Sequence, residues 1–320
     1  MSESLFVRYE GNPIITRKDL SYAANSIFNP GATKINNETI LLTRVEDMRG
    51  ISHLTIARSK DGLTGWTLDN HPTIAPEPEI FPEEIWGIED PRIARLEELD
   101  CWAITYTAFS LGGPLVSLAM TNDFVHFEKR GTILPPEDKD AALFPRKFKG
   151  RWAMIHRPIL PAHLKGHIWI SFSPDLKHWG DYQVLIETRD GSWWDAYKIG
   201  LGPPPLETPE GWLILYHGIK ELGTSRLYRL GLALLDLDDP TRVLKRSSEW
   251  IFGPEEHYER TGDVPNVVFP CGWVLDDDRK EIRLYYGCGD ISIGVATARY
   301  DELLDYVLSM PSAEPAKIQF

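Results

Sequence analysis

Apolar and polar positions alternate along most of this chain in short runs that stop at Asn, Asp, Gly or Pro. Alternation sends successive side chains to opposite faces of an extended backbone, so these runs predict β-strands. The clearest are ETILLTRVE, CWAITYTAF, RWAMIHRP, WLILYHG and IRLYYGCG, bounded by turn signals such as Asn36-Asn37, Lys149-Gly150, Glu210-Gly211 and Asp276–Asp278. Apolar residues fall at helical spacing only in RYDELLDYVLSM, near the C-terminus.

One phrase repeats. LTIARSKDGLTGW (Leu54–Trp66), VSLAMTNDFVHF (Val116–Phe127) and IWISFSPDLKHW (Ile168–Trp179) each join an alternating strand to Ser or Thr, an Asp turn and an aromatic. Looser copies are LGLALLDLDDP (Leu230–Pro240) and IGVATARYDEL (Ile293–Leu303). With Ala57, Ala119, Ser171, Ala233 and Ala296 as markers, the steps are 62, 52, 62 and 63 residues. Five units of this length predict an all-β fold, a five-bladed β-propeller with a central axial pocket. The expected organisation is a single domain over 1–320 with short N- and C-terminal extensions; a pair of β-sandwiches is the competing architecture. In a propeller, residues distant in sequence but at matching places in each blade face one another across the axis.

Composition adds class limits. The net charge of −13 argues against nucleic acid or an anionic membrane as partner and leaves room for a local basic pocket holding a small anion. Cys101, Cys271 and Cys288 lack CxxC spacing, so neither a disulfide framework nor a structural zinc site is expected. With no basic-then-apolar leader at MSESLFVRYEGNP and no apolar run long enough to span a bilayer, the expected setting is cytoplasmic. The 11 Trp, 12 Tyr and 12 Phe suit strand cores, and the surplus suits stacking on sugar rings.

The second strand of each unit ends in polar residues: Arg44 and Glu46, His156-Arg157, His217-Gly218, Gly289-Asp290. Asp90 precedes the corresponding strand of its own unit, in EEIWGIEDPRIARL. Asn29, Arg44, Asp90, Arg157, Lys198, His217 and Asp290 all lie beside aromatics, Gly or Pro, which implies partial burial. Buried charges persist when paired or used. Ion pairs clamping the blades are the structural alternative for any one of them. As a set, Asp90 is a candidate general acid, its pKa raised by burial or by Glu89. Arg157, Lys198 and His217 would form a cationic pocket for a tetrahedral anion. Asn29, Arg44 and Asp290 could hydrogen-bond sugar hydroxyls, and Tyr228 and Trp193 could line a sugar subsite. One acid plus an anion pocket differs from the two-carboxylate site of a glycoside hydrolase.

GIEDPR, ALFP followed by MIHRP, the Asp-x-x-Lys of WDAYKIGLGPPP, LYHG and YYGCGD resemble the β-mannoside phosphorylases and mannosidases of glycoside hydrolase family 130, in order and spacing, from NPII to ATA. The resemblance implies a five-bladed propeller and inverting phosphorolysis of β-1,4- or β-1,2-mannosides to mannose 1-phosphate. No metal or organic cofactor is implied, and inorganic phosphate is the co-substrate. It implies that Asp90 is the general acid, acting through the mannose 3-hydroxyl. Arg157, Lys198 and His217 would bind phosphate, and Asn29, Arg44 and Asp290 the mannose. An inverting β-mannosidase and a non-catalytic sugar-binding propeller are the alternatives. One departure stands out: phosphorylases of the family tend to carry another basic residue upstream of ALFP, where PPEDKDAALFP offers only Lys139, with Arg146 just beyond.

Lesser features carry less. His163 and His167, four apart in HLKGH, read as loop histidines, and LDDDRKEI reads as a hairpin turn lacking the spacing of a calcium loop. RVEDMRGISH, FSLGG and ERTGDVPN are candidate rim loops. A homo-oligomer is open, with the N-terminal segment and the tail SAEPAKIQF as candidates to reach a neighbour.

Overall fold

The computed structural model describes residues 5–161, 165–222 and 225–317. Five antiparallel sheets are arranged as the blades of a propeller. Their innermost strands are Ser26–Ile35, Ile88–Leu96, Asp138–Leu143, Lys198–Leu201 and Val268–Leu275. Each is followed outward by the alternating strands seen in the sequence, for example Glu38–Glu46 and Ser52–Ser59 in blade 1.

The repeated Asp is a turn device. Asp61, Asp123 and Asp175 each accept two backbone N–H bonds within their own turns, Asp61 from Leu63 and Thr64 at 2.8 and 2.7 Å. A carboxylate that satisfies its own turn fixes the corner by which each of the first three blades leaves its third strand.

Blade 5 is closed by the N-terminus. Val7–Arg8 forms its outermost strand, pairing with Thr297 and Ala296. The joint is tied by Arg8, which donates to fully buried Glu259 at 2.8 and 2.9 Å. Between blades the core is apolar and edge-to-face. Phe144, Phe148 and Trp212 interlock with centroids 5.1–5.6 Å apart across blades 3 and 4. Trp66 packs against Tyr285 across blades 1 and 5, where Tyr285 Oη donates to the Gly62 carbonyl at 2.9 Å. The inner strands approach closely: a Cβ on Gly272 would lie 2.3 Å from the Ala32 nitrogen. The C-terminal segment of helical spacing is a helix, Tyr300–Ser309, packed on blades 4 and 5. No helix among the described residues is long and apolar enough to cross a membrane. The three cysteines are buried free thiols.

Candidate active site

The site begins with an interruption of the inner strands. In blades 1, 2 and 3 the pairing with the second strand skips between Phe28 and Gly31, Glu89 and Arg92, and Lys139 and Ala142. The bulged residue is Asn29, Asp90 or Asp140, at φ 44°, 51° and 55°. Asn and Asp tolerate this left-handed region better than other side-chain-bearing residues, and a bulge re-aims the side chain it carries. Three successive blades thus offer an amide, an acid and an acid from one structural position. Blade 5 skips at Cys271.

Asp90 is 2% exposed. Its Oδ1 accepts from Asn29 Nδ2 at 2.9 Å and from Arg44 Nη1 at 3.2 Å. Arg44 also donates to Glu89 at 3.0 Å and to Ser52 at 2.9 Å, and stacks over Phe28. The expectation of a raised Asp90 pKa does not hold. Burial pushes it up, but Arg44, Lys139 and Arg92 together hold it below the ordinary carboxyl value. Asp290 behaves oppositely: burial lifts it to about 7, with Arg44 opposing and Asp90 assisting.

A cavity of about 640 Å³ opens over these groups, lined by Asn29, Arg44, Asp90, Lys139, Tyr228 and Asp290 among others. One wall is Val264–Val267, which continues out of ERTGDVPN, and Glu221 and Arg226 also line the cavity. Of the three rim loops considered, ERTGDVPN supplies this wall, while RVEDMRGISH contributes Arg44.

Beside the cavity lies a cationic group. Arg157, opposite Lys139 in the strand register, is 7% exposed. Its Nε and Nη2 each meet Asp140 Oδ2 at 2.8 Å, leaving Nη1 without a partner among the described residues. His217 Nε2 is 3.7 Å from the same oxygen, and its ring packs on Phe269, a cavity-lining residue, at 4.9 Å. Burial depresses the His217 pKa to about 3, so the imidazole is neutral. Lys198 is pushed down by burial and by Arg157; Lys139 is raised by Asp140, Asp90 and Glu89 against its burial. Neither lysine forms an ion pair among the described residues.

The structure gathers Asn29, Arg44, Asp90, Tyr228 and Asp290 around the main cavity and Arg157, Lys198 and His217 beside it, but not Trp193. That residue lines a different cavity, with Glu187, Arg246 and the segment 311–317. Lys139 reaches the main cavity, whereas Arg146 points away, donating to Glu207 at 3.2 Å and to the Leu237 carbonyl at 2.9 Å. Arg92 crosses from blade 2 to blade 4, donating to Gly202 and Leu201 carbonyls at 2.7 and 3.0 Å and meeting Asp140 at 3.4 Å. Asp195, the Asp of WDAYK, lies within blade 4, bonded to Arg189, Arg246 and Tyr216. His163 lies outside the described residues; His167 Nδ1 accepts from the Thr188 backbone at 3.1 Å. LDDDRKEI is a hairpin turn closed by the Arg279 nitrogen on the Asp276 carbonyl at 2.8 Å.

Asp140 and Asp138 escaped the sequence reading. Asp138 accepts from the Arg157 nitrogen at 3.1 Å and contacts His156 Nδ1 at 2.7 Å. The available signal was the shared pattern of FNPGA, EDPRIA and KDAAL, which places an Asn or Asp before Pro or Ala at the head of three units.

Fold and site together define a class, the five-bladed propellers with a carboxylate-and-cation pocket at one mouth of the axis. The family model described as beta-1,4-mannooligosaccharide phosphorylase matches residues 7–309. This chain belongs to glycoside hydrolase family 130. It is 36% identical over 312 residues to the Beta-1,4-mannooligosaccharide phosphorylase of Ruminococcus albus, covering 95% of this chain and 91% of that one. It is 35% identical over 355 residues to the Beta-1,2-mannobiose phosphorylase of Listeria innocua, covering 93% and 97%. The solved structure of the Listeria innocua enzyme with beta-1,2-mannobiose superposes with a TM-score of 0.84 at 33% identity, over 95% of this chain and 99% of that one.

Proposed function

We propose that this protein is an inverting glycoside phosphorylase that cleaves β-mannosides with inorganic phosphate, giving mannose 1-phosphate. The observation that carries the reading is an excess of cations next to Asp90: Lys139 and Lys198, neither in an ion pair among the described residues, and Nη1 of Arg157, whose other two nitrogens meet Asp140. Two lysines without ion-pair partners beside an arginine that Asp140 engages along one edge only are costly to hold together, and an anion between them relieves that cost. The phosphorylase names of relatives at 35–36% identity support it.

In this reading Asn29, Arg44 and Asp290 bind the mannose, with Tyr228 at its edge. Phosphate binds Arg157, Lys198, His217 and Lys139, the last standing where the sequence pattern called for another base. A phosphate oxygen forms the new bond to the anomeric carbon from one face. The glycosidic bond breaks on the other, its electron pair staying on the leaving oxygen, which takes a proton originating from Asp90 by way of the mannose 3-hydroxyl. Phosphate serves as nucleophile, so no carboxylate is needed to activate water. Binding of phosphate also offsets Lys139, one of the cations that keeps Asp90 ionised, and so favours the proton-bearing acid.

The test is incubation with β-1,2- and β-1,4-mannobiose, with and without inorganic phosphate. Mannose 1-phosphate formed only with phosphate, and lost in Asp90→Asn, supports the reading. Free mannose at equal rates without phosphate makes the protein a mannosidase. Sugar binding without turnover makes it a lectin-like propeller.

A further inference from the structure

We propose that Asp140 is the positioning residue of the anion side of the pocket. It sets the direction of Arg157 and the place of His217, and so governs phosphate binding without touching the sugar. The inference rests on the phosphorolysis reading.

Asp140 is 1% exposed and lies at the bulge that in the preceding blade carries Asp90. One oxygen, Oδ2, takes Nε and Nη2 of Arg157 at 2.8 Å and faces His217 Nε2 at 3.7 Å; the other meets Arg92 at 3.4 Å. Blade 4 makes room for it: a Cβ on Gly200 would sit 2.5 Å from Oδ2 and 2.5 Å from a His217 ring carbon. One carboxylate therefore binds Arg157 of its own blade 3 and Arg92 of blade 2, and packs 3.7 Å from the neutral ring of His217 in blade 4. By occupying one edge of the Arg157 guanidinium, it leaves Nη1 as the donor free to meet an anion. An arginine pinned along one edge has fewer rotamers to lose on binding than a free one.

The sign of the effect separates positioning from simple charge. Removing a negative group beside a cation cluster, by charge alone, tightens phosphate binding. Loss of positioning weakens it. Asp140→Asn keeps the shape and one acceptor, and Asp140→Ala removes both. Asp195→Asn serves as a control, being equally buried and bonded to two arginines but away from the axis.

The experiment measures KM for phosphate and for mannobiose separately, phosphate affinity by calorimetry, and the melting temperature of each variant. Asp140→Asn is expected to raise the phosphate KM and Kd tenfold or more, with the mannobiose KM within twofold of wild type. Asp195→Asn lowers the melting temperature and leaves the ratio of the two KM values alone. A phosphate affinity that is unchanged or tighter in Asp140→Asn, or a parallel rise in both KM values, overturns the proposal. If Asp140→Ala does not fold, Asp140→Asn decides. A wild type that binds phosphate yet hydrolyses without it removes the reaction reading alone, because the calorimetric loss in Asp140→Asn still supports the role. A wild type that does not bind phosphate removes both.

Discussion

The side-chain amide of Asn29, in blade 1, donates to Oδ1 of Asp90, in blade 2, at 2.9 Å. The two residues occupy the same bulge in adjacent blades, so the bond joins equivalent positions of the repeat. Behind Asn29, Gly287 leaves no room: a Cβ there would lie 2.0 Å from Asn29 Oδ1. Gly287→Ala is expected to displace the amide and cut kcat with mannobiose, while Asp90→Asn, which removes the proposed general acid, is expected to lower it by roughly 10²–10⁴-fold. Steady-state kinetics on both variants, beside their melting curves, check this; full activity in Gly287→Ala refutes the packing argument.

Lys139 lowers the Asp90 pKa and, in the proposed reading, also meets phosphate. Lys139→Met is expected to raise the phosphate KM, and Arg146→Met to leave it unchanged, because Arg146 faces Glu207. Lys139 is also one of the cations that lower the Asp90 pKa. Its loss should move the high-pH limb of kcat/KM to higher pH, since the acid then keeps its proton longer. A pH–rate profile for each variant measures both effects.

Asp290 makes stability depend on pH in the direction unusual for a carboxylate. Its pKa is about 7 in the folded chain against an ordinary 3.8, so between these values the folded state holds a proton that the unfolded state has released. Its contribution to stability is full below the lower value and is lost as pH rises through about 7. Asp290→Asn should flatten the fall in melting temperature over that window. An identical slope in the variant shows that Asp290 is not the group responsible.

Arg8 closes the ring. Arg8→Met leaves Glu259 buried without its partner, a loss of about 3–5 kcal/mol for a broken buried pair. Glu259 also accepts from the Glu255 and Glu256 nitrogens at 2.7 and 3.0 Å, at the root of the loop that walls the cavity. Chemical denaturation should therefore show lower stability, and kinetics a higher mannobiose KM. A variant as stable as wild type means that the apolar packing of blade 5 suffices for closure.

The outer strands were legible because each buries one face and alternates, and the Asp turns announced the repeat. Those two signals yielded five blades, and the ends of the second strands pointed to Arg44, Arg157, His217 and Asp290. The innermost strands did not read as strands. A bulge at Asn29-Pro30, Asp90-Pro91 or Asp140-Ala141 breaks the period of two, and proline within a run speaks against a strand. Asp90 does precede the second strand of its unit, Cys101–Ser110, and it lies in an innermost strand, Ile88–Leu96, that alternation does not reveal. For the same reason Asp140 passed unremarked between Lys139 and ALFP, although it is the carboxylate around which Arg92, Arg157 and His217 assemble.

By itself the order of residues determined the strand pattern, the five-fold repeat and the supply of one amide and two acids at the heads of three units, with cations at the ends of second strands. These follow from local rules, alternation and turn chemistry, that act within a few residues. Only the tertiary structure decided which charges are paired and which are left for a ligand. It turned Lys139 into the cavity and Arg146 out of it, kept Asp90 ionised and let Asp290 hold its proton. A charge's state depends on the field and desolvation imposed by groups from other blades, and closure of the ring creates that environment.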